Sequence, residues 1–307
     1  MRVRYKGTRE TRKLDQNFLR RFMSGCTAKT IKKIISKKIN DWLETIDEPV
    51  RKQVQNKIIV TGGCITSLLL GEPPNDYDVY LKDHDSALVL AKYYVSKFNN
   101  NNFEVTDENG RIKIMIPSDG IAVAEGEVVR EDDQISEAYE TLEDNAQATQ
   151  DSNKYRPVFL STNAITLSDK IQIVVRFYGD LEKIHKNFDY VHTTNGYDTG
   201  TKELTLRADA LAATLAKELV YVGSLYPLCS VARLRKFIAR GWKINMGQIL
   251  KMCMQISALD LTDIDVLEDQ CTGVDSAYFN MVIRMLKDKD PCKVNTSYLV
   301  EIINRMF

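Results

Sequence analysis

The sequence predicts an α+β protein, in which a mixed or antiparallel β-sheet with flanking helices is followed by an all-helical region. Three observations carry this. Apolar residues recur at helical spacing from Thr27 to Leu43. Between residues 56 and 193, short β-rich runs alternate with turns and brief helices. From Leu204 onward the spacing is helical.

Taken in order, residues 1–25 carry little periodicity. Ile31, Ile34, Ile35, Ile39 and Leu43 then share one helical face with lysines opposite, and Thr27 or Thr30 suits the N-cap. Asn56–Thr61 reads as a strand feeding Gly62-Gly63, and Cys64–Leu70 as a short helix stopped by Gly71 and Pro73-Pro74. Asp76–Leu81 is a second strand, and Asp85–Phe98 a helix. Phe103–Thr106 and Arg111–Ile116 form a hairpin around Glu108-Asn109-Gly110. The acidic stretch 118–153 has few large apolar residues and reads as an insertion, a loop or a partly helical flap. Tyr155–Leu160, Asn163–Leu167 and Lys170–Phe177 are strands, Asp180–Asn187 a short helix, and Phe188–Thr193 a further strand. The helical region opens with Leu206, Ala210, Leu211, Thr214, Leu215 and Leu219. It continues through Ser230–Arg240, Met246–Ile256, Ser276–Lys287 and Thr296–Met306. The expected domains are a basic arm and helix (1–55), a catalytic domain (56–200) with the acidic insertion, and a helical domain (201–307).

Composition narrows the function. With 44% hydrophobic and 27% charged residues the chain reads as a soluble globular protein. No apolar run approaches the roughly 20 residues that span a bilayer, and the basic N-terminus lacks the apolar stretch of a secretory signal. The six cysteines are scattered without a C-x-x-C pair, which argues against a zinc site or disulfide framework and for a reducing, cytoplasmic setting. Net charge is zero, yet residues 1–57 hold sixteen Lys/Arg against six Asp/Glu. That surplus fits contact with a polyanion such as nucleic acid, or a solvated helix face.

The chemistry concentrates between Val60 and Leu81. On a strand, Asp76, Asp78 and Tyr80 point one way and Tyr77, Val79 and Leu81 the other. Two carboxylates on one face repel unless a cation sits between them, and a hard divalent ion is the usual partner. Gly62 and Gly63 offer bare backbone N–H groups at a helix start, where phosphate oxygens are held. Read blandly, the carboxylates are a solvated strand end and the glycines a turn.

The run V-T-G-G-C-I-T-S-L-L-L-G-E-P-P-N-D-Y-D resembles the signature of class II nucleotidyltransferases, the bacterial poly(A) polymerases and CCA-adding enzymes, roughly G-G-x-V-R-D-x-L-L-G-R-x-P-x-D-x-D. Gly62, Gly63, Leu69, Leu70, Gly71, Pro74, Asp76 and Asp78 fall in register. The family's Arg-Asp pair is Thr66-Ser67 here, and its later Arg is Glu72. The resemblance implies a polymerase-β-like nucleotidyltransferase head followed by helical domains that hold nucleotide and RNA. It implies two Mg²⁺ ions, or Mn²⁺, on Asp76 and Asp78, and an NTP whose phosphates lie at Gly62 and Gly63 near Ser67. Superfamily members often add a third carboxylate from a later strand. Asp189 in Phe188-Asp189-Tyr190 is the first candidate, then Glu104 and Asp169. His192, on the same face as Asp189, is placed to orient it or to meet a phosphate, or is a structural residue. Ser161-Thr162-Asn163-Ala164 weakly resembles the family's T-x-N-A nucleotide segment, which makes Asn163 a candidate nucleotide contact. Arg233, Lys236 and Arg240 share one helix face by their spacing, as cations for a triphosphate or RNA backbone or as a solvated basic face.

The function expected from these residues is metal-dependent transfer of an NMP from an NTP to an acceptor hydroxyl, foremost an RNA or tRNA 3′ end. The alternatives are toxin-like modification of a protein or small molecule, and a non-catalytic nucleic-acid-binding or assembly protein that keeps the fold. The compact size and the departures from the signature suit a protein of a phage or other mobile element.

Overall fold

A computed structural model describes residues 25–98, 103–116, 121–123, 154–261, 263, 266 and 270. The basic arm before residue 25, most of the acidic insertion 118–153, and the helices expected at Ser276–Lys287 and Thr296–Met306 lie outside the described residues.

Helix α1 (Ala28–Leu43) buries Ile31, Ile35, Ile39, Trp42 and Leu43, and Thr27 rather than Thr30 caps it by accepting the Thr30 N–H. Helix α2 (Glu48–Val54) follows, with Pro in its first turn, where the missing N–H costs nothing. Strand β1 (Ile58–Thr61), α3 (Gly63–Leu70), β2 (Tyr77–Leu81) and α4 (His84–Lys97) then come in the expected order. Gly71 ends α3 in the left-handed conformation, φ +71°. Strands β3 (Glu104–Glu108) and β4 (Arg111–Met115) close through Asn109 and Gly110, both at positive φ, as a tight hairpin requires. Next come β5 (Ile121–Val123), β6 (Pro157–Ser161), β7 (Ala164–Leu167), β8 (Ile171–Tyr178) and α5 (Leu181–His185). The rest comprises β9 (Gly196–Asp198), β10 (Glu203–Thr205), α6 (Ala208–Ala216), β11 (Glu218–Leu219), α7 (Pro227–Ala239), β12 (Lys243–Ile244) and α8 (Met246–Ile256).

The main sheet has eight strands in the order β10-β9-β1-β2-β8-β7-β6-β5, antiparallel throughout except for the parallel pair β2–β8. The mixed α+β character is as expected. Two local readings need correction. Phe188–Thr193 is not a strand: Tyr190 makes a single bridge to Tyr221, and Val191–Thr193 is a 3₁₀ turn. The Tyr190 hydroxyl donates to Ser230 O, so this segment is held by the helical region rather than by a neighbouring strand. The helix expected from Leu204 starts only at Ala208, because the preceding residues form the edge strand β10. The helical region also contains a two-residue parallel pair, β11 with β12.

Alternation sorts the sheet's side chains. Ile58, Val60, Tyr77, Val79, Leu81, Ile165, Leu167, Ile171 and Ile173 bury against α1 and α4 in the main core. Each fully buried aliphatic side chain there contributes about 1.5–3 kcal/mol. Trp42 Nε1 donates to the Tyr94 hydroxyl at 2.7 Å, tying the two helices together. On the opposite face, Ile59, Tyr80 and Val174 are covered by Ile184 of α5. A third cluster, Leu70, Tyr190, Leu219, Tyr221, Trp242 and Met252, joins the end of α3 to the helical region. No helix among the described residues is long and apolar enough to cross a membrane.

His84 links α4 to the β3–β4 hairpin. Its Nδ1 meets Asp85 at 3.2 Å and its Nε2 lies 2.9 Å from Asp107. The bond to Asp85, reinforced by Asp107 against partial burial, raises the imidazole pKa. A raised folded-state pKa gives stability that is complete below the unfolded value, about 6.5, and is lost as pH rises through the folded value. Wild type should therefore exceed His84→Gln in thermal midpoint at pH 5.5, and the gap should shrink by pH 9. A gap independent of pH would contradict the ion-pair account.

Candidate active site

The glycine turn and the carboxylate strand meet in space. Antiparallel pairing sets Thr61 opposite Asp78, so the turn that follows Thr61 starts level with that carboxylate. Gly62 stands at φ +88°, and a Cβ there would lie 2.2 Å from Asp78 Oδ2. The close approach and the backbone conformation both require glycine. Gly62 N–H donates to Thr193 O at 3.2 Å. Gly63 opens α3 and faces open space, with nothing within 4 Å of the position a Cβ would take. Ser67, one turn on, lies on the same side of the helix and is half-buried.

Asp76 ends the loop before β2, and both it and Asp78 are half-buried. They flank Cys64, whose thiol pKa is raised far above its usual value, first by burial, then by Asp78, then by Asp76. Both carboxylates thus act on the same buried thiol, and a cation between two such like charges would relieve their repulsion. Among the described residues no group of three or more His, Cys, Asp or Glu side chains comes together as a metal cluster. Asp76 and Asp78 offer a pair of hard oxygen ligands. That pair fits Mg²⁺, which takes one or two carboxylates and completes its shell with water and phosphate oxygens.

Both departures from the class II signature are built into the structure. Thr66 is buried and donates to His192 O at 2.7 Å. Glu72 accepts from Lys217 Nζ at 2.8 Å, joining the loop after α3 to the end of α6.

The other expected site residues are placed elsewhere. Asp189 is buried, and its Oδ2 takes hydrogen bonds from Arg233 Nε (2.9 Å) and Nη2 (2.6 Å). Two residues read as separate site contributors are thus each other's partners, and the structure does not gather Asp189 with Asp76 and Asp78. Glu104 lies on the separate β3–β4 hairpin, and Asp169 in the β7–β8 turn at φ +60°. Asn163 is fully buried, and its carbonyl accepts from Val175 N–H. The register sets Asn163 beside Val175, three residues along β8 from the Gln172 that pairs with Asp78, or roughly 10 Å. Lys236 is half-buried on α7, and Arg240 is exposed at the helix end. Removing Arg233 would leave the Asp189 carboxylate buried without its partner. Arg233→Ala should cost about 1–2 kcal/mol in urea unfolding, discounted because the arginine is 28% exposed. Asp189→Asn should cost less, and a cost near zero for both would remove this pair from the account of stability.

Several residues near the turn gave no sequence signal. The Thr61 hydroxyl donates to Asn195 O at 2.7 Å and so accepts from His185 Nε2 at 2.7 Å. Burial, and then Arg207, lowers the His185 pKa to about 4, keeping the ring neutral. His185 comes from a polar five-residue helix far along the chain, so no local pattern marks it. His192 packs against Trp242 and Phe237, with ring centroids 4.1 and 4.7 Å away, and burial lowers its pKa to about 3. It is a neutral packing residue under α3 rather than a partner of Asp189.

The model of a family described as Gad2, Gabija anti-defense 2 family protein, matches residues 33–217. A curated relative named Gabija anti-defense 2, from Bacillus phage SPbetaL7, is 20% identical over 246 residues, covering 80% of this chain and 48% of that protein. The chain thus spans about half the length of the curated relative it matches. Among solved structures, a Thermotoga maritima CCA-adding enzyme complexed with tRNA is 11% identical with a TM-score of 0.38, over 87% of this chain and 53% of that one. A CCA-adding enzyme with ATP is 12% identical with a TM-score of 0.40, over 95% and 53%.

Proposed function

This chain belongs to the Gabija anti-defense 2 family, and we propose that it is a metal-dependent nucleotidyltransferase that moves an NMP from an NTP to an acceptor hydroxyl. One observation carries the reading: Asp78 Oδ2 lies against the Cα of Gly62, so carboxylate and phosphate-binding turn form a single site.

In this reading the backbone N–H groups at the start of α3, with the Ser67 hydroxyl, receive the β- and γ-phosphates. Asp76 and Asp78 would hold magnesium, which when bound neutralises the triphosphate and eases deprotonation of the attacking hydroxyl. The acceptor oxygen attacks the α-phosphorus as its bond to the bridging oxygen breaks, and pyrophosphate leaves. The chain contributes positioning and a fixed field: Gly62 sets the carboxylate, and the Thr61–His185–Asn195 bonds hold the turn. Arg233 pairs with Asp189, and Lys236 and Arg240, read on the same helix face, are kept as the proposed cations for a phosphate.

For the acceptor, an RNA 3′ end remains the first reading. The family's description as an anti-defense protein favours a second, in which the acceptor is a component of the opposed bacterial defence. The test is incubation with magnesium and each labelled NTP, with tRNA, with oligo(A), or with extract of a Gabija-bearing host. Label on RNA supports the first acceptor and label on protein the second. No label in any arm, with Asp78→Asn still blocking Gabija, would overturn the enzymatic reading.

A further inference from the structure

We propose that the row of side chains running from Asp78 across β8, β7 and β6 is a nucleoside subsite, with Gln172 and Thr166 binding the sugar and Phe159 stacking the base. The register carries this. Asp78 pairs with Gln172, Gln172 with Thr166, and Thr166 with Phe159. The flanking pairs, Tyr77 with Ile171, Ile165 with Ile173, and Leu160 with Ile165, all bury in the main core. Asp78, Gln172, Thr166 and Phe159 must therefore project from the opposite face, side by side.

Among the described residues that face is only partly covered at this row. Gln172, Thr166 and Phe159 are each half-exposed, whereas one row on, Val174 and Ala164 are 0% and 3% exposed. The strip extends about 14 Å from Asp78 to Phe159, three strand spacings. Its chemistry changes along that length: a carboxylate, an amide, a hydroxyl, then an aromatic ring. None of the four side chains is itself a cation, so the row offers a sugar and a base more than it offers a polyphosphate. Amide and hydroxyl can each donate and accept, which suits ribose hydroxyls. An aromatic face offers stacking to any base. The order matches a nucleotide whose reacting phosphate or 3′-oxygen lies at Asp78 and whose base points away.

This subsite rests on the nucleotidyltransferase reading, and two sources share its chemistry: the incoming NTP and the terminal nucleoside of an acceptor. Steady-state kinetics on the full chain separate them. Thr166→Val and Gln172→Ala should each raise one KM, for NTP or for acceptor, by roughly three- to tenfold with little change in kcat. Phe159→Leu should raise the same KM by about tenfold or more. Thr166→Ser should restore it, which a packing defect would not allow because valine keeps the volume that serine loses, and Phe159→Tyr should retain the stacking. Adenosine 5′-monophosphate binding by ligand-observed NMR gives a readout independent of turnover and should weaken in the same three variants. Wild-type transfer with both KM values and this binding unchanged in all three would overturn the subsite and leave the reaction standing. Binding lost in the variants of a protein that transfers nothing would keep the subsite and overturn the reaction.

Discussion

Asp78→Asn is expected to lower nucleotidyl transfer by about a thousandfold or more, without lowering the thermal midpoint. The activity loss follows from the donor set. With two carboxylates gathered beside the glycine turn, neutralising one halves the charge available to a divalent ion, and such charge stabilisation amounts to several kcal/mol of barrier. The stability expectation has the opposite sign. Asp78 and Asp76 both act on the buried Cys64 thiol, and Asp78 presses on the Cα of Gly62. Removing one like charge relieves repulsion in the metal-free protein. A carboxylate whose main role is structural would instead destabilise the fold when lost. Transfer assays and differential scanning calorimetry on the same preparation decide this, and a variant several degrees less stable would make Asp78 a structural residue.

Gly62→Ala should cut activity by about a hundredfold and cost about 2–3 kcal/mol of stability, whereas Gly63→Ala should leave stability within about 0.5 kcal/mol. At Gly62 a methyl group would enter at 2.2 Å from the Asp78 carboxylate, and the backbone sits at φ +88°. A non-glycine residue there carries conformational strain, and Asp78 must move to make room. An ångström of displacement in a reacting group is enough for the stated loss. Gly63 meets nothing and begins a helix, where alanine is favourable. Urea unfolding of both variants checks the contrast, and equal costs would refute the close approach.

Much of this was legible locally. The isoleucine spacing of α1, the Gly71 stop and the alternation Tyr77/Val79/Leu81 against Asp78/Tyr80 are properties of short windows, and they came out as read. The signature also led toward nucleotidyl chemistry, while the family model identifies an anti-defense family. The chain was read as suiting a phage or mobile element, and its curated relative comes from a phage. What failed were inferences joining distant segments. Phe188-Asp189-Tyr190 has a strand's local pattern, yet Ser230 and Arg233 hold its side chains. Asn163 was singled out by the weak T-x-N-A resemblance alone, and a short motif does not show that its turn is buried.

By itself the sequence determined the elements around the glycine turn and singled out Asp76 and Asp78 as the carboxylates of the proposed site. Helical and strand periodicity, glycine's access to positive φ and like-charge repulsion act over a few residues. Only the tertiary structure decided which residues share a sheet face with them. Strand β8 lies about ninety residues after β2, and pairing across that gap is fixed by the burial of both strands' opposite faces. That pairing sets Gln172 beside Asp78, the short helix after β8 brings His185 beneath Thr61, and α7 supplies the Arg233 that holds Asp189.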